Sequence, residues 1–147
     1  MLKNKRIAIL GATSHIAKGL IYNFSSLCYK NIFLFARSLT RLQCFLNEIN
    51  CKHKWTNKKI DEFERYDYDV ILNCVGMGTP SKVKEAGSDA FNLVEKFDNM
   101  ILRCLADNTK TLYINFSSGA VYGDNFTTPV DDSSFSKWSI NNVKESI

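Results

Sequence analysis

Apolar residues in this chain fall into two patterns that alternate from the N-terminus onward. Ile7, Ala8, Ile9 and Leu10 form a short run without alternation, as expected of a parallel strand covered on both faces. The run breaks at Gly11, where the missing Cβ permits a tight turn, and Ile16, Ala17, Leu20, Ile21, Phe24 and Leu27 then recur at helical spacing. A second run, Ile32 to Ala36, predicts a second strand, and Ser38 predicts the cap of a helix carrying Leu39, Leu42, Phe45, Leu46 and Ile49. Cys51 to Glu64 shows no clear period, and a short third strand is expected near Lys54 to Thr56. Val70 to Val75 predicts a fourth strand, closed by Gly76-Met77-Gly78-Thr79-Pro80. Ser88 then caps a long helix with Phe91, Val94, Phe97, Ile101, Leu102 and Leu105 on its apolar face, and Thr111 to Phe116 predicts a fifth strand. Strands alternating with helices in this order predict an α/β fold with a doubly wound parallel sheet. No repeat or linker interrupts it, so one domain over residues 1–147 is expected.

The first strand, turn and helix carry the main chemical signal. A turn of this kind aims unsatisfied backbone N–H groups and the positive end of a helix dipole at one point, which suits a pyrophosphate. The dinucleotide spacing G-x-x-G-x-x-G is met here as Gly11, Ser14 and Ala17. Ala17 is the accepted small substitute where the helix packs on the strand, whereas Ser14 asks the backbone near a phosphate to tolerate a Cβ. The same residues also suit an ordinary strand-to-helix turn. Arg37 stands 20 residues past Ala17, at the end of the second strand, where a dinucleotide fold meets the adenosine ribose. An arginine there can pair with a 2′-phosphate, which favours NADP over NAD; a plain surface arginine is the alternative, and Arg41 would help if it points the same way. Gly76 and Gly78, at the carboxyl end of the fourth strand, allow close backbone approach to a ligand.

Composition narrows the choice. With 147 residues, 45% of them hydrophobic, the chain can bury a real core. The surplus of 19 lysines and arginines over 15 acids is too mild for a nucleic-acid footprint, although a cluster from Lys52 to Lys59 around Trp55 keeps that class as a third alternative. The five cysteines, at 28, 44, 51, 74 and 104, form no C-x-x-C pair and no metal-ligand spacing, so no metal site is expected and the thiols fit a reduced, cytoplasmic protein. Lys3, Lys5 and Arg6 precede an apolar run too short for export or for spanning a bilayer, so no membrane partner is expected.

Taken together, ILGATSHIAKGL, FARS, DVILNCVG and FSSGAVYGD, in this order and spacing, resemble the N-terminal part of the extended short-chain dehydrogenase/reductases, the NAD(P)-dependent epimerases and dehydratases of nucleotide-activated sugars. The resemblance covers nearly the whole chain, and S-S-x-x-V-Y-G after the fifth strand is its most specific piece. It implies a Rossmann-like domain, truncated after the fifth strand and lacking a C-terminal substrate domain. By the same resemblance the backbone of Gly11, Thr13, Ser14, His15 and Ile16 holds the pyrophosphate, Arg37 sits at the adenosine ribose, and Cys74, Val75 and Gly76 line the cofactor crevice. Ser118 falls on the catalytic hydroxyl that hydrogen-bonds the sugar oxygen, and Asn99 on an asparagine that supports the active site.

The family also needs a Tyr-x-x-x-Lys pair, in which lysine and cofactor charge lower the tyrosine pKa so that it exchanges a proton at neutral pH. None of the tyrosines here has a lysine four residues on. Ile140 to Lys144 can be aligned by the lysine alone, with Ile140 in the tyrosine's place; the preferred alternative makes Asp124 to Ile147 the loop before the catalytic helix, the chain stopping short of the tyrosine. Three readings result: a shortened nucleotide-sugar oxidoreductase or epimerase, inactive alone; a non-catalytic NADP-binding module or half of a split enzyme; and, disfavoured, a nucleic-acid-binding domain. A bare fifth strand is expected to invite self-association.

Overall fold

The computed structural model describes residues 2–76 and 80–116. The sheet and its helices form one compact unit, Met1–Asn115. The elements follow as β1 (Ile7–Leu10), α1 (His15–Ser26), β2 (Ile32–Ala36), α2 (Leu39–Glu48), β3 (Thr56–Lys59), β4 (Val70–Asn73), α3 (Pro80–Ala86), α4 (Ser88–Asp107) and β5 (Leu112–Asn115), with a 3-10 segment Ile60–Arg65 between β3 and β4. All pairings are parallel and the strand order is β3-β2-β1-β4-β5. This is the doubly wound, Rossmann-like arrangement, in which the chain reverses direction across the sheet between β1 and β4.

The unbroken apolar run of β1 is explained by its two covers. Ile7 and Ile9 pack with Leu34, Leu72, Ala17, Ile21, Leu42 and Phe45 beneath α1 and α2. Ala8 and Leu10 pack with Phe35, Phe63, Tyr68, Ile71, Phe97 and Ile101 on the α4 side. An alternation of polar and apolar residues would have left one of these cores without half its strand contribution. On the second face Phe63 stands edge-on to Phe35 and stacks on Tyr68, with ring centroids 5.3 and 5.0 Å apart. The Tyr68 hydroxyl donates to the Phe63 carbonyl at 2.7 Å, and burial pushes its pKa up, so it stays a donor.

Four sequence expectations shift. The third strand lies at Thr56–Lys59 instead of Lys54 to Thr56. It is an edge strand held to β2 through its backbone, so its residues, TNKK, carry no apolar period, and lysines on an edge discourage further pairing. The fourth strand ends at Asn73, two residues early, because the Asn73 side chain accepts the Val75 amide at 3.1 Å and turns the chain out of the ladder. Residues from Pro80 form the additional helix α3, with proline at the first helical position where its missing N–H costs nothing. It gives way to α4 at Gly87, whose φ of +53° needs a glycine. On α4 the buried stripe is Phe97, Met100 and Ile101, while Phe91, Val94 and Leu102 are exposed, because its apolar arc is wider than the surface the sheet offers.

β5 pairs with β4 alone among the described residues. Its register puts Leu112 and Ile114 opposite Val70 and Leu72, on the α1 and α2 face, where they are 54% and 39% exposed.

At the opposite end of β4, Asp69 joins two neighbouring strands. Its carboxylate accepts the Arg6 amide at 2.7 Å and the Lys5 ammonium at 2.8 Å. These hydrogen bonds, led by Lys5, hold the carboxyl below its usual range. A lowered folded pKa means that the stabilisation is present above the unfolded value, about 3.9, and is lost as pH falls through the folded one. Asp69→Asn should therefore cost about 1 kcal/mol at pH 7, a figure reduced for solvent screening of a part-exposed pair. Urea denaturation should show the difference from wild type shrinking as pH falls below the unfolded value and vanishing once the folded carboxyl is protonated; a gap that persists in acid would mean that the carboxylate charge is not its source.

Candidate functional site

β1 delivers the chain to Gly11, whose φ is +69°. A Cβ at this position would stand 2.8 Å from the Cys74 carbonyl oxygen and 3.1 Å from the Val75 nitrogen. The end of β4 therefore passes directly against the turn. The Ala12 amide donates to the Phe35 carbonyl at 3.0 Å, tying the turn to β2, and the Ser14 amide donates to the Gly11 carbonyl at 2.8 Å, closing it. Three strand ends meet here.

Ser14, the departure from the glycine fingerprint, is the N-cap of α1. Its φ of −72° and ψ of 162° are extended backbone that any residue adopts, and its Oγ accepts the Ala17 amide at 3.3 Å. The Cβ is thus tolerated, and the hydroxyl satisfies one of the amides that a helix start leaves over. The His15 and Ile16 amides, in the first turn, are of the kind that has no partner inside the helix. With the positive end of the helix dipole they make this terminus receptive to an anion.

A cleft of about 240 Å³ opens in front of the turn. Gly11, Thr13, Ser14 and His15 line one side; Arg37 and Arg41, beyond the end of β2, line another; Cys74, Val75 and Gly76 form a third. Ile60, Leu93 and Phe97 supply apolar walls. Of the residues singled out in the sequence, the structure gathers Gly11, Thr13, Ser14, His15, Arg37, Arg41, Cys74, Val75 and Gly76 around this cleft. Ile16 is not among the lining residues and its side chain is exposed. Ser118 lies outside the described residues, as do Gly78 and Asp124 to Ile147. Asn99 is exposed on α4 and does not line the cleft.

Sequence reasoning did not connect Ile60, Leu93 and Phe97 with the site. Leu93 and Phe97 sit four apart on the buried side of α4, and Ile60 is the first apolar residue after a polar strand. Either pattern also describes ordinary core.

Charge in the cleft is one-sided. Among the described residues, Arg37 and Arg41 form no ion pair and no carboxylate lines the cleft. The Cys74 thiol is buried, and burial pushes its pKa up to about 11, so it is a neutral wall instead of a nucleophile or metal ligand. No group of side chains among the described residues could hold a metal ion. The geometry of β4's end is set by Asn73, 3% exposed, whose Nδ2 donates to the Tyr113 hydroxyl at 3.2 Å while its Oδ1 holds the Val75 amide.

The lysine-rich segment forms no comparable surface. Trp55 is buried, its Nε1 donates to the Tyr29 carbonyl at 2.9 Å and its ring stacks on His53. Lys58 is paired with Glu62 at 3.1 Å. Exposed aromatic stacking at Trp55, which a nucleic-acid interface here required, is not available. Among the described residues no helix is long and apolar enough to cross a membrane.

No protein-family model matches the chain, and no curated protein does. Solved structures share its fold. A UDP-glucose-4-epimerase from Stenotrophomonas maltophila, with bound NAD and formylated UDP-arabinopyranose, is similar with a TM-score of 0.71 at 11% identity, over 90% of this chain and 43% of that one. A UDP-N-acetylglucosamine 4-epimerase from Methanobrevibacter ruminantium M1, in complex with UDP-N-acetylmuramic acid, gives 0.63 at 18% identity, over 89% and 43%. A metagenomic short-chain oxidoreductase in complex with NADP gives 0.59 at 21% identity, over 99% and 76%. The chain spans less than half the length of the two epimerases. The fold and its cleft define a Rossmann-like α/β unit, shared with epimerases and short-chain oxidoreductases.

Gly11→Ala should be costly, because it combines a left-handed backbone with a contact against main-chain atoms that cannot rotate away. We expect a loss of roughly 2 to 4 kcal/mol in chemical denaturation. Gly19→Ala, on α1 with nothing within 4 Å of the added Cβ, should instead stabilise by about 0.5 to 1 kcal/mol. Equal effects at the two positions would refute the close-approach argument.

Proposed function

We propose that this chain binds NADP in the cleft at the switch point, as the cofactor-binding part of an oxidoreductase or epimerase acting on nucleotide-activated sugars. The observation that carries this reading is the convergence around one cleft, with no carboxylate lining it among the described residues, of the glycine turn, the N-terminus of α1 and the Arg37–Arg41 pair. The backbone of Thr13, His15 and Ile16 would hold the pyrophosphate, Arg37 and Arg41 the 2′-phosphate, and Ile60, Leu93 and Phe97 would shield flat rings from water. The bound nicotinamide would supply hydride transfer. The sugar class rests on the sequence motifs and on the bound UDP-sugars of the two epimerases with a similar fold. Self-association through the sheet edge is supported by β5, which pairs only with β4 among the described residues and leaves Leu112 and Ile114 exposed.

Fluorescence titration tests the cofactor. NADPH should bind about tenfold or more tightly than NADH, as a charge-assisted hydrogen bond to a phosphate commonly contributes that much. Arg37→Asp should reverse the order. Equal affinity for both cofactors in the wild type, or an unchanged ratio in the variant, would remove Arg37 from the role.

A second reading, a non-catalytic NADP-binding module, is favoured by one observation: no tyrosine has a lysine four residues on. A hydroxyl at Ser118 can orient a sugar oxygen but cannot act as a tuned proton acceptor, whose contribution is typically about 10² to 10⁴-fold in rate. The 147-residue chain should show no steady oxidation of NADPH with UDP-sugars and no epimerisation of them. Turnover abolished by Ser118→Ala would establish the catalytic reading.

A further inference from the structure

His15 occupies the first position of α1 and lines the cleft beside Gly11, Thr13 and Ser14. The cofactor reading uses only its backbone. Around it the charged and titratable groups are few. From the end of β2 and the start of α2 come Arg37 and Arg41; from β4 comes Cys74, neutral because burial raises its thiol pKa; the 3-10 segment and α4 contribute only the apolar Ile60, Leu93 and Phe97. Lys18, one turn along α1, is directed over the Phe45 ring at 4.7 Å. No carboxylate faces His15 within the cleft among the described residues.

We propose that the His15 side chain is a proton-dependent ligand of the dinucleotide diphosphate, so that the chain takes up a proton when it binds cofactor and holds it more tightly at acid pH. The proposal rests on the cofactor reading above and deepens it. An imidazole is the side chain whose ordinary pKa places its charge change between pH 5 and 8. Without ligand, the cleft holds the positive end of the helix dipole and two arginines. A bound diphosphate reverses that field, and the imidazolium then donates a charge-assisted hydrogen bond to a phosphate oxygen. Arginine charge is constant over this range and Cys74 stays protonated, so among the described residues that line the cleft His15 alone is of a type that changes charge there. The sign follows: a group whose pKa is raised by the ligand strengthens binding below its free pKa, and the gain disappears as pH rises through the bound one.

The test is calorimetric titration with oxidised NAD, whose diphosphate does not change charge between pH 5.5 and 8.5, in buffers of differing ionisation enthalpy. Wild type should bind about tenfold more tightly at pH 5.5 than at pH 8.5 and take up part of a proton on binding. His15→Gln should bind at both pH values with the affinity that wild type has at pH 8.5, and should take up no proton. His15→Lys, charged throughout, should retain the acid-pH affinity at pH 8.5. The His15 side chain is exposed, so all three proteins should unfold at the same temperature. Binding in wild type and His15→Gln with the same pH dependence and the same proton uptake would overturn this proposal and leave the cofactor reading standing. Failure of wild type to bind either NAD or NADP at any pH would overturn both.

Discussion

The contact on which the structure depends is the approach of the Gly11 turn to the carboxyl end of β4. Two parallel strands that leave one another in opposite directions across the sheet must end side by side with no side chain between them. The 2.8 Å separation between a notional Gly11 Cβ and the Cys74 carbonyl shows how little room is left. Because β4 is that close, Cys74, Val75 and Gly76 become a wall of the same cleft that receives the start of α1. The glycine is therefore a packing requirement of the sheet and, by the same geometry, the floor of the cleft.

β4 is fixed by a polar residue at each end and by apolar packing between. Asp69 ties its entry to the first strand through Lys5 and the Arg6 amide, and Asn73 ties its exit to Val75 and to Tyr113 on β5. Neither residue is apolar, yet both set where apolar residues go. A buried asparagine with both ends of its amide engaged loses little on burial, whereas an asparagine without partners there would cost about 1 to 3 kcal/mol. The cleft wall is thus coupled to the outermost strand by one side chain.

The parts of the fold legible in the sequence are those whose burial is complete. β1, β2 and β4 are covered on both faces, and their apolar runs announce it; β3 is an edge held by main-chain bonds, and nothing in Thr-Asn-Lys-Lys records that. Helix α4 was legible as a helix, but which of its apolar residues would be covered was not, because a helix sequence does not state how wide a surface it will meet. At the cleft, Gly11, Arg37 and Gly76 follow from their positions after strands, and Cys74 and Val75 from the family resemblance alone. Ile60, Leu93 and Phe97 do not, since the side chain that walls a cleft and the side chain that fills a core obey the same pattern. Ser14 was the apparent flaw in the fingerprint, and helix capping removes it.

The strand order has a consequence for how the chain is made. β1 emerges first from the ribosome and ends in the middle of the sheet, yet one of its neighbours is not complete until Asn73. Throughout that interval Ile7 to Leu10 is a nascent apolar strand with an open flank on which a second chain can template. The polar, lysine-bearing β3 closes the far side before β4 arrives, so during synthesis the exposed flank is the one destined for the cleft. The order of synthesis thus makes the middle strand of the finished sheet a temporary edge.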